Sequence, residues 1–263
     1  MSKIKFWKYQ ANGNDFIIVN NRNGNLQLSN EQIQRLCDRH YGIGADGFIS
    51  VNSSDISDFE MRYYNSDGML SSMCGNGGRC AAMFAYQHEF SVKRMVFTAS
   101  DGRHEAIIED GLNQHICDVS LSMADVDEVQ KSESFYFLDT GSPHYVEFVA
   151  HVAELDVVSE GRKTRQSEQF MPDGTNVNFV ELRGERLFVR TYERGVEDET
   201  LSCGTGVTAS AISAFFITGK TSSIIHTTGG EFIVNFRHHQ GDKFTDIWLR
   251  GPAELVFEGI IEV

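Results

Sequence analysis

Met73-Cys74-Gly75-Asn76-Gly77-Gly78-Arg79-Cys80 has a second copy 129 residues later, Ser202-Cys203-Gly204-Thr205-Gly206. In each, a cysteine precedes Gly-x-Gly and the chain then turns apolar and alanine-rich, over residues 81–86 after the first and 209–217 after the second. This is the pattern of a tight turn feeding a buried helix, with a thiol at its mouth. A helix start carries N–H groups without intrahelical partners and a positive partial charge. It can therefore hold a carboxylate or phosphate and favour the ionised form of a nearby thiol.

Outward from these two stretches the resemblance between the halves continues. Gly13 matches Gly141, Tyr64 matches Tyr192, Cys74 matches Cys203 and Thr98 matches Thr227, at offsets of 128, 128, 129 and 129. A constant offset over four landmarks marks an internal duplication. The reading predicts an N-terminal lobe over residues 1–119 carrying Cys74, rejoined by a terminal strand at 251–263, and a C-terminal lobe over 120–250 carrying Cys203. A pseudo-twofold axis would relate the lobes and set the two cysteines opposite each other across a cleft.

Alternating or β-rich runs predict strands at 3–9, 15–20, 48–51, 59–65, 95–99, 105–109, 114–121, 145–149 and 187–192. Ser29 with Gln32 forms a capping box, and Ile33, Leu36 and Cys37 follow at helical spacing, which predicts a helix over 30–39. A short helix is predicted over 164–170. The glycine-rich run Gly42-Ile43-Gly44-Ala45-Asp46-Gly47 reads as backbone punctuation, since it neither follows a clear strand nor opens a helix. Many strands with one apolar helix per half imply a mixed α/β (α+β) fold of two pseudo-symmetric lobes, each a mixed β-sheet rolled around a buried central helix.

The 263 residues are 41% hydrophobic and 23% charged, with a net charge of −14. Nothing in that balance would draw a polyanion or an anionic membrane, so neither nucleic acid nor membrane is an expected partner. No apolar run approaches ~18 residues, and the Met1-Ser2-Lys3-Ile4-Lys5-Phe6-Trp7 start alternates like a strand rather than a signal peptide, which predicts a cytoplasmic protein. Five cysteines argue against a disulfide framework and for reduced thiols. Cys37 and Cys117 read as buried packing residues. The gap between Cys74 and Cys80 matches no usual zinc spacing, so no metal is expected.

Two thiols on opposite faces of one carbon suit a reaction that inverts it, one as base and the other as acid, with the roles exchanged in reverse. Such a pair would share one proton. Backbone N–H groups of Gly75, Asn76, Gly204 and Thr205 would clamp the reacting carboxylate as charge builds on it. Acid, base and clamp are then all protein groups, and no cofactor is expected.

Several motifs in order resemble the diaminopimelate epimerase family over essentially the whole chain. They are Gly13-Asn14-Asp15-Phe16, Gly42-Ile43-Gly44-Ala45-Asp46, Asn65-x-Asp67-Gly68, the two cysteine stretches, Asn176-x-Asn178-Phe179 and Tyr192-Glu193-Arg194-Gly195. The resemblance implies a cofactor-independent enzyme that interconverts LL- and meso-diaminopimelate and assembles as a homodimer, with Cys74 and Cys203 as base and acid. It implies that Asn14, Asn65, Asn176, Glu193 and Arg194 read the far end of the substrate. Arg194 would offer a fork to the distal carboxylate and Glu193 a counter-charge to the distal ammonium. In the repeat Glu193 matches Asn65 and Arg194 matches Ser66, which places both pairs at equivalent strand ends.

Two positions depart from the family pattern. Ser142 stands where the family usually has Asn, ahead of Pro143-His144, and Gln10-Ala11-Asn12 stands where the family more often has a histidine and glycine. His144 reads as a packed, hydrogen-bonded histidine rather than a catalyst. Other readings of the same features are a racemase or epimerase for another amino acid, a thiol-disulfide redox protein, which the absence of Cys-x-x-Cys disfavours, and a non-catalytic anion binder, which leaves the paired cysteines unexplained.

Overall fold

A computed structural model describes residues 3–111 and 115–263; Met1 and Ser2, at the head of the predicted first strand, and Gln114, at the start of another, lie outside them. The chain divides into two compact units, the first Met1–Leu121 with Gly251–Val263 and the second Ser122–Arg250.

In the first unit β1 (Lys3–Ala11) and β2 (Asn14–Asn20) form a hairpin, and α1 (Asn30–Cys37) crosses to β3 (Gly47–Asn52). Then come β4 (Phe59–Asn65), β5 (Leu70–Ser71), α2 (Gly75–Gln87), β6 (Arg94–Ala99), β7 (Gly102–Gly111) and β8 (Ile116–Ser122). The second unit follows with β9 (Gln130–Lys131), β10 (Tyr136–Asp139), β11 (Pro143–Phe148), α3 (Val157–Arg165), β12 (Asn176–Arg183) and β13 (Arg186–Glu193). It continues through β14 (Asp198–Thr200), α4 (Gly204–Thr218), β15 (Ser222–Thr227) and β16 (Gly230–His238) to the long β17 (Phe244–Glu262).

Pairing in the first unit runs β1, β2, β3, β4, β6, β7, β8, then the part of β17 from Gly251 onward, and back to β1. The sheet closes on itself, which leaves no open edge in that ring. Inside it α2 packs against β1 to β4 and β7. Residues Cys80 to Ala85 of α2 are all buried, which is why that stretch is apolar on every side. In the second unit β10, β11, β12, β13, β15, β16 and residues 244–250 of β17 curl around α4. Val207, Ala209, Ala211, Ile212 and Ala214 of α4 fill that core together with Val146, Val180 and Phe244. Each large side chain buried there is worth about 1.5–3 kcal/mol relative to exposure.

The two units share one pairing scheme. β2 with β3 and β11 with β12 are parallel, as are β4 with β6 and β13 with β15. A parallel neighbour needs a crossover, and α1 to α4 lie in those four connections.

The capping box of α1 is present, with Gln32 N–H on the Ser29 hydroxyl and Gln32 Oε1 on the Ser29 N–H. The helix predicted over 164–170 lies earlier, as α3. Its start is fixed by Asp156, whose side chain accepts from Ser159 N–H, and its last turn holds Arg162, Lys163 and Arg165. Two valines and Gly161 hid it in the sequence. Gly161 is required by packing, since a Cβ there would stand 2.3 Å from Cβ of Tyr192. Strands β10, β12, β15 and β16 were not anticipated, and residues 251–263, expected as a strand rejoining the first half, pair with β8 and β1.

Candidate active site

Cys74 and Cys203 each occupy the position just before a buried helix, in extended backbone conformation (φ −91°, ψ 128° and φ −128°, ψ 112°). Gly75 and Asn76 open α2, and Gly204 and Thr205 open α4. The sequence motif is therefore a strand-turn-helix in both units, and the first-turn amides of α2 and α4 have no partner within their own helix.

At the first mouth the Cys74 thiol lies 3.5 Å from Oδ1 of Asn14, which also accepts from Nδ2 of Asn76 at 3.3 Å. The other end of the Asn14 amide donates to Oδ2 of Asp46 at 2.8 Å. Arg79 is fully buried beneath this turn; its Nη2 donates to Oδ1 of Asn76 at 2.8 Å and to Oδ1 of Asn12 at 2.7 Å. Burial pushes its guanidinium down to about 10. Below Asn14, Asp15 is buried enough to raise a carboxyl, but hydrogen bonds from Arg39 and Lys8 outweigh that and hold it ionised well below the usual range.

At the second mouth the surroundings are hydroxyls. Sγ of Cys203 lies 3.4 Å from Oγ1 of Thr205, which is 3.4 Å from Oγ of Ser142. Thr140 donates its hydroxyl to the Thr205 carbonyl at 2.9 Å. Ser142 also meets Nε2 of His144 at 3.1 Å and Nδ2 of Asn176 at 3.1 Å. His144 is fully buried, and burial, with the charge of Arg194 adding to it, pushes its imidazole down to about 3. It is the hydrogen-bonded histidine the sequence implied.

Asn176 accepts from the Arg194 backbone N–H at 2.9 Å, so the end of β13 is tied to the same cluster. The Arg194 guanidinium donates to the Asp173 carbonyl at 3.3 Å. Glu193 closes β13, and burial pushes its carboxyl up. Asn65 closes β4 and is exposed. Within the first unit the structure thus brings together Asn14, Cys74, Gly75 and Asn76. Within the second it gathers Asn176, Arg194, Cys203, Gly204 and Thr205, while Asn65 and Glu193 stand at the ends of β4 and β13.

The three remaining cysteines are unlike these two. Burial pushes Cys37 up to about 12, Cys117 up to about 11 and Cys80 higher still, which disfavours their thiolates. Among the described residues no group of His, Cys, Asp or Glu is arranged to hold a metal, and no helix is long and apolar enough to cross a membrane. Sequence reasoning gave no role to Arg79, Asn12, Asn178 or Thr140. An arginine inside an otherwise apolar, small-residue helix was the available signal for the first.

The fold is that of a group of solved enzymes and relatives. A phenazine biosynthesis protein of the PhzF family from Bacillus anthracis superposes with a TM-score of 0.79 at 15% identity, covering 100% of both chains. A hydroxyproline epimerase from Agrobacterium vitis, solved with trans-4-hydroxy-L-proline, superposes at 0.71 with 14% identity over 98% of this chain and 92% of that one. Within that fold the chain belongs to the diaminopimelate epimerase family, whose model matches residues 6–124 and 136–256. It is 48% identical to the diaminopimelate epimerase of Flavobacterium psychrophilum, over 98% of this chain and 100% of that one. It is 40% identical to that of Chlorobaculum tepidum, over 95% and 98%.

Proposed function

We propose that this chain interconverts LL- and meso-2,6-diaminopimelate by a two-base mechanism that uses no cofactor. The observation that carries the reading is the repeated one: a cysteine immediately ahead of a glycine-opened, buried helix in each unit. Inversion at Cα needs a base on one face and an acid on the other, and each unit supplies one thiol. One of Cys74 and Cys203 removes the α-proton as thiolate while the other donates its proton to the opposite face. The bond from Cα to hydrogen breaks toward one sulfur, and a new one forms from the other.

A thiol of unperturbed pKa ~8.5 is far too weak a base for an unassisted α-proton. N–H groups at the openings of α2 and α4 offset this by binding the carboxylate onto which carbanion charge spreads. Asn14, Asn65, Asn176, Glu193 and Arg194 recognise the distal amino-acid end, with Arg194 for its carboxylate and Glu193 with the amide oxygens for its ammonium. We further read the protein as a cytoplasmic homodimer whose partner is this small amino acid. A racemase or epimerase for another amino acid is the second reading, and Ser142, shorter than the Asn usual in the family, is what favours it.

Proton exchange at Cα tests both readings, followed by NMR in D2O under reducing conditions with LL- and meso-diaminopimelate. Deuterium should enter with inversion, and Cys74→Ala and Cys203→Ala should each lower the rate by at least about a thousandfold, within the range for losing a general acid or base. Exchange on other amino acids but not on diaminopimelate would support the second reading. Full activity in either alanine variant would sink the two-thiol mechanism.

A further inference from the structure

The direction of several hydrogen bonds leading to the two thiols can be followed from groups that have no choice. At the first mouth the Asp46 carboxylate can only accept, so Asn14 presents Nδ2 to it and Oδ1 to Cys74. The Arg79 guanidinium can only donate, so Asn76 presents Oδ1 to it and Nδ2 to Asn14. Both constraints agree, and Oδ1 of Asn14 is an acceptor aimed at Cys74. A thiol can donate to it, whereas a thiolate would meet a second lone pair.

At the second mouth the same logic runs the other way. The Tyr145 carbonyl can only accept, and it takes Nδ2 of Asn178 at 2.9 Å while Oδ1 of Asn178 takes the Thr191 hydroxyl at 2.9 Å. Nδ2 of Asn178 therefore donates to Nδ1 of His144 at 3.0 Å, and the neutral imidazole carries its proton on Nε2. That N–H donates to Ser142. The Arg194 N–H, which can only donate, fixes Oδ1 of Asn176, so Nδ2 of Asn176 donates to Ser142 as well. With both lone pairs of Ser142 engaged, its own proton turns to Thr205, which leaves the Thr205 proton available to Cys203 at 3.4 Å.

We infer that the resting proton of the pair sits on Cys74 and that Cys203 carries the thiolate, with Ser142 and Thr205 as the positioning residues that set this order. The assignment rests on the two-thiol reading above and deepens it: a donor stabilises the charged sulfur and an acceptor the neutral one. Ser142 is the joint, since it bonds both the buried His144 and Thr205 at the helix mouth. The departure from the family's usual Asn thus has a physical consequence at Cys203 as well as at the distal end.

Alkylation by iodoacetamide as a function of pH, read at each cysteine by peptide mass spectrometry, tests the assignment without substrate. It would be done in full-length proteins carrying Cys74→Ala or Cys203→Ala, so that each thiol titrates without the other. Cys203 should reach half its limiting rate at least about one pH unit below Cys74. Ser142→Ala and Thr205→Val should move the Cys203 midpoint upward, and Thr205→Ser should restore it, while the Cys74 midpoint stays in place. Equal midpoints, a lower one for Cys74, or a Cys203 midpoint indifferent to both substitutions would overturn the assignment. If Thr205→Val does not fold, Ser142→Ala carries the test. Failure of the epimerase reading would appear separately, as absent deuterium exchange with the midpoints in the expected order.

Discussion

The two units share a strand plan and place a cysteine at the same point of it, yet they support that cysteine by different means. In the first unit Phe16 and Ile49 lie against Gly77 in the first turn of α2, with Tyr63 beside Phe16; in the second the matching positions hold His144, Asn178 and Thr191. The strand registers agree, since Ile49 faces Tyr63 across β3 and β4 as Asn178 faces Thr191 across β12 and β13. An apolar wall in one copy is a hydrogen-bonded polar cluster in the other. The polar anchor of the first unit is inside the helix, at Arg79, where the second has Thr208. A duplicated fold can thus keep two thiols in equivalent positions and still give them unlike electrostatic surroundings.

His144 offers the strongest way to sharpen that contrast, because Phe16 at the matching position cannot titrate. Its imidazole is held near 3 in the folded chain against an ordinary value of 6.5. Between those values the unfolded state binds the proton and the folded state does not, so stability falls as pH falls from 6.5 and recovers as pH rises. One such group costs about 1.4 kcal/mol per pH unit, hence about 3 kcal/mol between pH 6.5 and 4. Urea unfolding across that range should show His144→Gln losing this part of the acid sensitivity, whatever its stability at pH 7. Equal pH slopes for the parent and the variant would mean that His144 is protonated in the folded protein.

The shared plan was legible in the sequence because it is written in backbone requirements and periodicity. Gly13 and Gly141 both adopt positive φ (83° and 110°), so their recurrence was a structural signal. The alanine-rich runs after Cys74 and Cys203 were equally plain, since a helix inside a closed sheet has no polar face. The difference between the units was not legible. His144, Asn178 and Thr191 are far apart in the chain and meet only across three neighbouring strands, and no local pattern separates a buried, bonded Asn178 from a turn asparagine. Strand β12 escaped notice for the same reason, as Asn176 and Asn178 interrupt its apolar pattern while their side chains are occupied in the cluster. Val157-Val158 and Gly161 hid α3, where burial against β12 and β13 overrides weak helix propensity.

Arg79 and Thr208 test the comparison from the helix side. Arg79 joins Asn12, Asn76 and the Gly75 carbonyl, whereas the Thr208 hydroxyl donates only locally to the Gly204 carbonyl at 2.9 Å. Arg79→Met would fill much of the same volume but leave the two asparagine oxygens in a buried site, at a cost of about 2–3 kcal/mol. Thr208→Val removes a single bond to a carbonyl that opens the helix, for about 1 kcal/mol. Chemical denaturation should order the variants that way. A Thr208→Val loss equal to that of Arg79→Met would show the two anchors to be equivalent after all.

The smallest expected effect is at the helix glycine Gly77, which occupies the position matching Gly206. Alanine is the better helix former by about 0.8–1.0 kcal/mol, so either substitution begins with a gain. At Gly77 the new Cβ would approach side-chain tips, Ile49 at 3.2 Å and Met61 at 3.3 Å, which can give by a few tenths of an ångström. At Gly206 it would stand 2.4 Å from Oδ1 of Asn178, an atom held by Thr191 on an amide that also bonds Tyr145 and His144. The apolar wall can yield and the polar one cannot without losing hydrogen bonds. Gly77→Ala should therefore be close to neutral in thermal unfolding, and Gly206→Ala should cost about 1–2 kcal/mol net, as overpacking does in a site unable to relax. Because Asn178 also orients His144, Gly206→Ala should shift the alkylation midpoint of Cys203 as well, whereas Gly77→Ala should leave that of Cys74 in place. A neutral Gly206→Ala with an unmoved Cys203 midpoint would mean that Asn178 can turn without consequence, and the rigid polar wall behind the second thiol would have to be given up.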